Sequence, residues 1–258
     1  MVRGLYTAYT AMKNEEKRMD VIANNMANAD TNGYKAEGTT SRAFSQVYGV
    51  KINDGSEVHL QRAIGKMSLG VRIGETYRDW SSGSFKTTGN TYDFALSGKG
   101  FFTISMTDKS GQEHIRYTRD GAFTITSDGY LVTKDGDFVL DDGGSKIQLP
   151  TDGGKPSVSG DGRITVNGEE IAVLGVTDVE DYRYLHQYGE NQFDLVPGGT
   201  LKDFEGSVEQ GLIEASNISM VDEMVNMIAV TRSYESSQKM MQTVDSLIDK
   251  AVNTIGRV

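Results

Sequence analysis

Histidines and carboxylates are the residues of this chain whose types could do chemistry, and their spacing offers none of the usual arrangements. The three histidines, His59, His114 and His186, are far apart. None falls in an H-E-x-x-H, H-x-H or His-plus-carboxylate pattern that would set two ligands on one metal ion. Asp-Gly pairs at 128–129, 135–136 and 161–162 suggest calcium, but the D-x-D-x-D-G loop with its distal glutamate is missing, and turn chemistry accounts for them. GKGFF (98–102) has two glycines of a phosphate-cradling G-x-G-x-x-G and lacks the third; no G-x-S-x-G elbow or Walker loop is present. Carboxylates are abundant, so a pair placed for glycoside hydrolysis stays open on counting alone, and a peptidoglycan-cutting enzyme is the enzymatic alternative. With no cysteine, disulfides, thiolate metal sites and cysteine nucleophiles are excluded. No catalytic, cofactor-binding or metal-ligating residue is assigned, and no cofactor is implied.

The 258 residues are ample for one large or two modest cores. The 26 basic and 36 acidic residues give a formal charge of −10 with no dense basic run, which argues against a nucleic-acid binder. Thirty glycines against three prolines point to many tight turns. Residues 1–20 do not read as a cleavable signal peptide: the apolar stretch after Arg3 is short and runs into Lys13, Glu15, Glu16, Lys17 and Arg18. No apolar run is long enough to suggest a membrane-spanning helix. On these grounds alone the chain reads as soluble and cytoplasmic.

Three zones differ in their hydrophobic period. Residues 4–28 have helical spacing, with Leu5, Met12, Met19 and Met26 seven apart, Tyr9 and Ala23 between them and Glu16 as the one charge on the seam. NNMANADTNGYK then stops the helix with Asn-rich sequence and the Asn32-Gly33 pair. Residues 36–205 read as β: FFTI (101–104), AFTI (122–125), YLVT (130–133), DFVL (137–140), RITV (163–166) and EIAVL (170–174) are separated by Asp-Gly or Asn-Gly pairs that suit primed two-residue hairpin turns. Residues 219–255 return to helix. Ser219 with Asp222 makes a capping box, and Met220, Met227, Tyr234, Met241, Ile248 and Ile255 repeat every seven residues, broadened by Met224, Val230, Thr231, Val244, Ala251 and Val252.

Both ends therefore carry a heptad stripe that must be dried by something. Two arrangements stay open: the helices pair within one molecule, or neighbouring copies complete both stripes. The second helix reads as longer by roughly three turns, which leaves excess seam in the first arrangement. Methionines on both stripes suit slightly different packing around each copy.

Four blocks give the sequence a family likeness. IANNMANADTNGYK (22–35) resembles the N-terminal signature of flagellar rod, hook and hook-associated proteins. GSFKTTGNTYDFALSGKGFFTI (83–104) and YTRDGAFTITSDGYLVTKDGDFVL (117–140) resemble β-domain motifs of the rod and hook branch. Residues 206–256 resemble its C-terminal helix and the lead-in to it. The blocks occur in family order. Residues 41–75 share little with the family beyond LGVRIG, and Met26 and Tyr34 replace a branched aliphatic and a Phe.

The likeness implies a subunit of the flagellar basal-body rod, with distal rod favoured by length and proximal rod or a hook-like axial subunit as alternatives. It implies export through the flagellar type III apparatus without a cleaved signal peptide, an extracytoplasmic place in the basal body spanning the envelope, and partners that are its own copies and neighbouring rod and hook proteins. It implies no nucleic acid and no membrane insertion. On the signature, Asn24, Asn25, Asn28, Thr31, Asn32, Gly33 and Tyr34 join the heptad residues as assembly residues, fixing the chain's exit from the helix through side-chain to backbone hydrogen bonds. A monomeric binding module such as an adhesin with a helical stalk is the other non-enzymatic alternative. The expected fold is α+β: terminal helices in a coiled-coil region (1–35 and 206–258), an irregular or β extension (36–80) and a central antiparallel β-rich domain (81–205).

Overall fold

The computed structural model describes residues 2–50, 63–108, 111–150, 154–189 and 191–255. They divide into two compact units, one of Met1–Ala27, Glu37–Asp79 and Ser219–Val258, the other of Asn28–Ala36 and Trp80–Ile218. The fold class is α+β, with a helix near each end and antiparallel strands between.

In the first unit, α1 (Val2–Ala27) and α2 (Met220–Lys250) pack along each other. Gly4 lies against Val244, Met19 Sδ is 3.8 Å from Thr231 Oγ1, and Asn25 Nδ2 donates to Glu223 Oε1 at 3.1 Å, so the helices run antiparallel. Ser219 caps α2 by accepting from the Asp222 N–H, and Asp222, Glu223 and Lys250 oppose the helix dipole at its two ends. The α-helical part of α2 has 31 residues against 26 for α1, and Ala251–Ile255 continue it as one π turn, so the helical run exceeds α1 by roughly the three turns that the sequence suggested.

The heptads fall where the repeat placed them, with one change of phase. On α2 the less exposed positions follow a 3-4 rhythm through Met220, Glu223, Met227, Val230, Tyr234, Ser237, Met241, Val244, Ile248 and Ala251. Met224 and Val252, assigned to the stripe from sequence, are exposed instead. On α1 the row is Leu5, Ala8, Met12, Glu15, Met19, Ile22 and Met26. Ala8, Glu15 and Ile22 take the intermediate places expected for Tyr9, Glu16 and Ala23, which lie outside that row and are more exposed. Offsets of three and four both return to one helical face, so spacing alone could not choose between them. The side chain of Ile255 lies outside the described residues.

A second face of α1 packs on strands β1 (Glu37–Ala43) and β4 (Val71–Arg78), which pair antiparallel from Glu37 opposite Arg78 to Ala43 opposite Val71. β2 (Val47–Val50) and β3 (Ala63–Met67) form another antiparallel pair. Residues 51–62, with His59, lie outside the described residues. Asn14 on this face of α1 exchanges hydrogen bonds with Ser41, so a buried amide sits where an apolar residue was to be expected.

The second unit is built of β5 (Phe85–Thr87), β6 (Phe94–Lys99), β7 (Phe101–Thr107), β8 (Glu113–Thr118), β9 (Thr124–Ile125), β10 (Leu131–Val132), β11 (Phe138–Val139), β12 (Ser157–Val158), β13 (Arg163–Val166), β14 (Glu169–Val173), β15 (Val176–Val179), β16 (Leu185–Tyr188), β17 (Gln192–Leu195), β18 (Leu201–Asp203), β19 (Glu205–Gln210) and β20 (Leu212–Glu214). Its main sheet runs β16-β17-β8-β7-β11-β10-β9, with β15 also on β7 and β18 on β15. All strand pairings of this unit among the described residues are antiparallel. Successive residues of a strand face opposite ways, and β7 is covered on both sides. Phe102 and Ile104 enter a core with Phe94, Phe123, Leu131 and Ile164, while Phe101 enters a second cluster with Tyr117 and Phe193. That double burial is why Phe101 and Phe102, on opposite faces of one strand, are both apolar. Trp80 closes the second cluster, stacked on Tyr182 with ring centroids 5.0 Å apart.

The Asp-Gly turns differ from expectation. Among the described residues only Asn167-Gly168, between β13 and β14, has φ positive at both residues, as a type I′ two-residue hairpin requires. At Gly129, Gly136 and Gly162 the aspartate before the glycine is not left-handed. Each of these glycines donates to the carbonyl three residues back, Thr126, Thr133 and Ser159. They close type I turns ending in a left-handed glycine, the three-residue hairpin form. The Thr126 and Thr133 hydroxyls also accept from the N–H four residues on.

Candidate functional site

Sequence placed function at the helices and the signature, and the first unit carries a surface there. Val221, Met224, Val225 and Ile228 are between 47 % and 70 % exposed and follow i, i+3, i+4, i+7 spacing along α2. They form one apolar stripe, turned away from the row that meets α1. The six heptad residues of α2 do something different: Met220, Met227, Tyr234, Met241 and Ile248 are half-buried in the row that faces α1, and the side chain of Ile255 is not described. Leu5, Met12, Met19 and Met26 are their counterparts.

The signature residues make hydrogen bonds along the segment that follows α1. Asn25, buried, brackets Glu37: its Nδ2 donates to the Glu37 carbonyl at 2.9 Å and its Oδ1 accepts the Glu37 N–H at 3.0 Å. Asn28 accepts from the Thr31 hydroxyl and, through its carbonyl, from the Thr31 N–H. Asn32 hydrogen-bonds Asp120. Gly33 adopts φ of +67° and donates to the Glu214 carbonyl at 2.8 Å; a Cβ there would strike the backbone of Arg119 and Asp120. Tyr34 is buried, Met26 half-buried and Asn24 exposed.

A buried charge cluster in the second unit went unread in the sequence. Lys35 Nζ donates to Glu214 Oε1 at 2.7 Å and to the Ser81 carbonyl at 2.8 Å. Glu214 also accepts the Gly83 N–H, and Arg119 Nε lies 3.3 Å from its other oxygen. Burial pulls the Arg119 pKa below its usual value, with Glu214 opposing. Asn217 accepts from the Ala36 N–H and donates to Ser81. No local signal marks these residues, since charged side chains read as solvated until their distant partners are known.

A cavity of the second unit, about 680 Å³, is lined by Asn32, Asp120, Asp137, Tyr188 and Gln192 among others. Burial raises the pKa of both Asp120 and Asp137. Their oxygens are engaged, however. Asp120 accepts from the Ala122 N–H, Asn191 and Asn32, and Asp137 accepts from Gln192 at 2.7 Å. These are structural acceptors holding turns together. His114 and His186 are exposed on different strands, and among the described residues no three His, Asp or Glu gather as metal ligands. Gly98, in β6, and Gly100, between β6 and β7, serve close approach: a Cβ at Gly98 would press on the Glu205 carbonyl and one at Gly100 would meet Phe204.

Two helices from opposite ends of the chain, laid antiparallel and backed by a β ribbon, with an antiparallel β unit inserted between them in sequence, define an α+β subunit whose ends fold together. Comparison with known proteins gives the family. Residues 209–254 match the flagellar basal body rod FlgEFG protein C-terminal family, 95–166 the flagellar hook protein FlgE/F/G D1 domain and 5–35 the flagella basal body rod protein family. The chain is 34 % identical to the flagellar basal-body rod protein FlgF of Rhizobium meliloti (strain 1021) over 99 % of both chains. It is 32 % identical to FlgF of Caulobacter vibrioides over the full length of both, and 30 % identical to the rod protein FlgG of Bacillus subtilis (strain 168) over 98 % of this chain and 99 % of that one. The chain belongs to the flagellar basal-body rod protein family, a family of structural proteins.

Proposed function

We propose that this chain is a structural subunit of the bacterial flagellar rod, resident in the basal body, which polymerises with its own copies and contacts neighbouring rod and hook proteins. In this reading it reaches its place through the flagellar export apparatus without losing a signal peptide, and it turns over no substrate. Family membership supports the setting. The observation that carries the mechanical role is the apolar stripe of Val221, Met224, Val225 and Ile228, left in water on a helix that already has one partner. The heptad residues Leu5, Met12, Met19, Met26, Met220, Met227, Tyr234, Met241, Ile248 and Ile255 then build a coiled-coil pair that presents this stripe. The signature residues Asn24, Asn25, Asn28, Thr31, Asn32, Gly33 and Tyr34 set how the chain leaves that pair.

Deleting the gene in the source bacterium and imaging isolated basal bodies tests the role. Loss of motility with basal bodies truncated at the rod is the expected result; intact rods and hooks in the deletion strain would overturn it. Crosslinking in complete basal bodies identifies the neighbours and so the distal or proximal position.

A further inference from the structure

In the first unit, the face of α1 turned toward the β1–β4 ribbon is not fully filled. Between them lies an apolar groove of about 550 Å³ whose walls include Tyr9, Val21, Phe44, Val71 and Ile73. Lys13, Lys17 and Arg72 stand on its rim, against Asp20 as the one carboxylate. Lys13 and Lys17 each make an exposed ion pair, to Glu16 and Asp20, of the kind that water screens and that rearranges readily.

We infer that this groove receives the Val221–Ile228 stripe of a second copy of the same chain. The inference rests on the rod reading, which requires copies to join, and names the two surfaces that meet. Three observations carry it. The groove is concave and apolar, and the stripe is convex and apolar, on the one type of subunit. The groove is long enough: Tyr9 to Val21 spans about 18 Å of α1, against about 10 Å of α2 from Val221 to Ile228. The charges agree as well. The chain carries −10 overall, so two copies repel in general. The groove offers a basic rim, while the stripe starts beside exposed Asp222 at the acidic first turn of α2.

Groove and stripe are different surfaces, so the contact is head-to-tail. Such a contact does not consume itself on forming a dimer: each added copy leaves one groove and one stripe free, and a chain of subunits follows.

The absence of cysteine makes the test clean. Full-length protein carrying Val225→Cys is mixed with full-length protein carrying Val71→Cys and oxidised. Mixed disulfide dimers are expected, and the double variant is expected to give a ladder of higher oligomers. In parallel, Ile228→Asp and Tyr9→Asp are each expected to stop oligomer growth with unchanged helix content by circular dichroism. Mixing those two should yield a 1:1 pair and nothing larger, because one good groove and one good stripe remain. Dimers formed by Val225→Cys alone, in preference to the mixture, would replace the head-to-tail contact by a symmetric one and overturn the inference. Wild-type oligomers without any 225–71 crosslink would overturn it too, leaving the rod reading to the deletion strain. A chain that stays monomeric without crosslinks at the highest attainable concentration would show that a second copy is not the occupant.

Discussion

Lys35 and Glu214, 179 positions apart, meet at 2.7 Å with both side chains 1 % exposed. The first is the last residue of the signature and the second precedes the approach to α2, so one carboxylate ties together the segments flanking both helices. Arg119 shares that carboxylate, which places two cations on one anion out of water.

Removing the anion is therefore the severe change. Glu214→Gln leaves Lys35 and Arg119 buried without a counter-charge, and the expected loss is about 3–5 kcal/mol. Lys35→Met keeps the Arg119–Glu214 contact and should lose less. Trp80, the only tryptophan, sits in the aromatic cluster of the same unit and reports its denaturant unfolding. A Glu214→Gln protein within about 0.5 kcal/mol of the parent, the range of ordinary surface changes, would refute this account.

Gly33 and Gly136 both have positive φ, but only Gly33 is hemmed in. Gly136→Ala meets open space and should cost about 1 kcal/mol for the left-handed backbone alone. Gly33→Ala adds a collision with the backbone at Arg119 and should cost at least about 3 kcal/mol. Equal melting temperatures for the two variants would contradict the geometry.

Val230 is the one residue of α2 that is fully buried among those described. Val230→Asp places an unpaired carboxylate in the row facing α1, at a cost on the order of 3 kcal/mol. Hydrogen exchange should show protection lost from both helices together, since each is the other's cover, while the Trp80 signal stays as in the parent. Loss confined to α2 would show that α1 does not depend on it.

Burial raises the pKa of Asp137 in the folded protein, so folding disfavours its charged form. Its favourable contribution is present below the unfolded carboxylate pKa and is lost as pH rises through the raised folded value. Asp137→Asn keeps an acceptor for Gln192 and removes that burden. The variant should melt above the parent at pH 7, with the difference shrinking toward zero as both are acidified below the folded pKa. A difference that grows on acidification would reverse the sign.

What was legible in the sequence was what repeats. The α2 heptad from Met220 to Ile248 lies in the half-buried row because period alone defines it. The α1 heptad did so too, yet its intermediate row slipped by one residue, since Ala8 and Tyr9 are both one helical step from Leu5. β1, EGTTSRA, carries no apolar alternation, so the strand became visible only through its pairing with β4. The turns were located by their glycines, and their type was missed because φ at the preceding aspartate is not written in residue identity. Asn25 was singled out, but its two bonds to Glu37 and its third to Glu223 depend on where the chain returns. The Lys35–Glu214 pair was silent for the same reason.

The helix pair has a kinetic consequence. α1 and α2 are among the most distant contacts the chain makes, with the whole inserted β unit between them in sequence, so their meeting carries a large loop-closure entropy and falls late in folding. A chain delivered from its N-terminus, whether off a ribosome or out of any narrow conduit, holds α1 without its companion until Met220–Lys250 has arrived. A molecule cut short early in that helix keeps its β unit and loses the mate of its first helix.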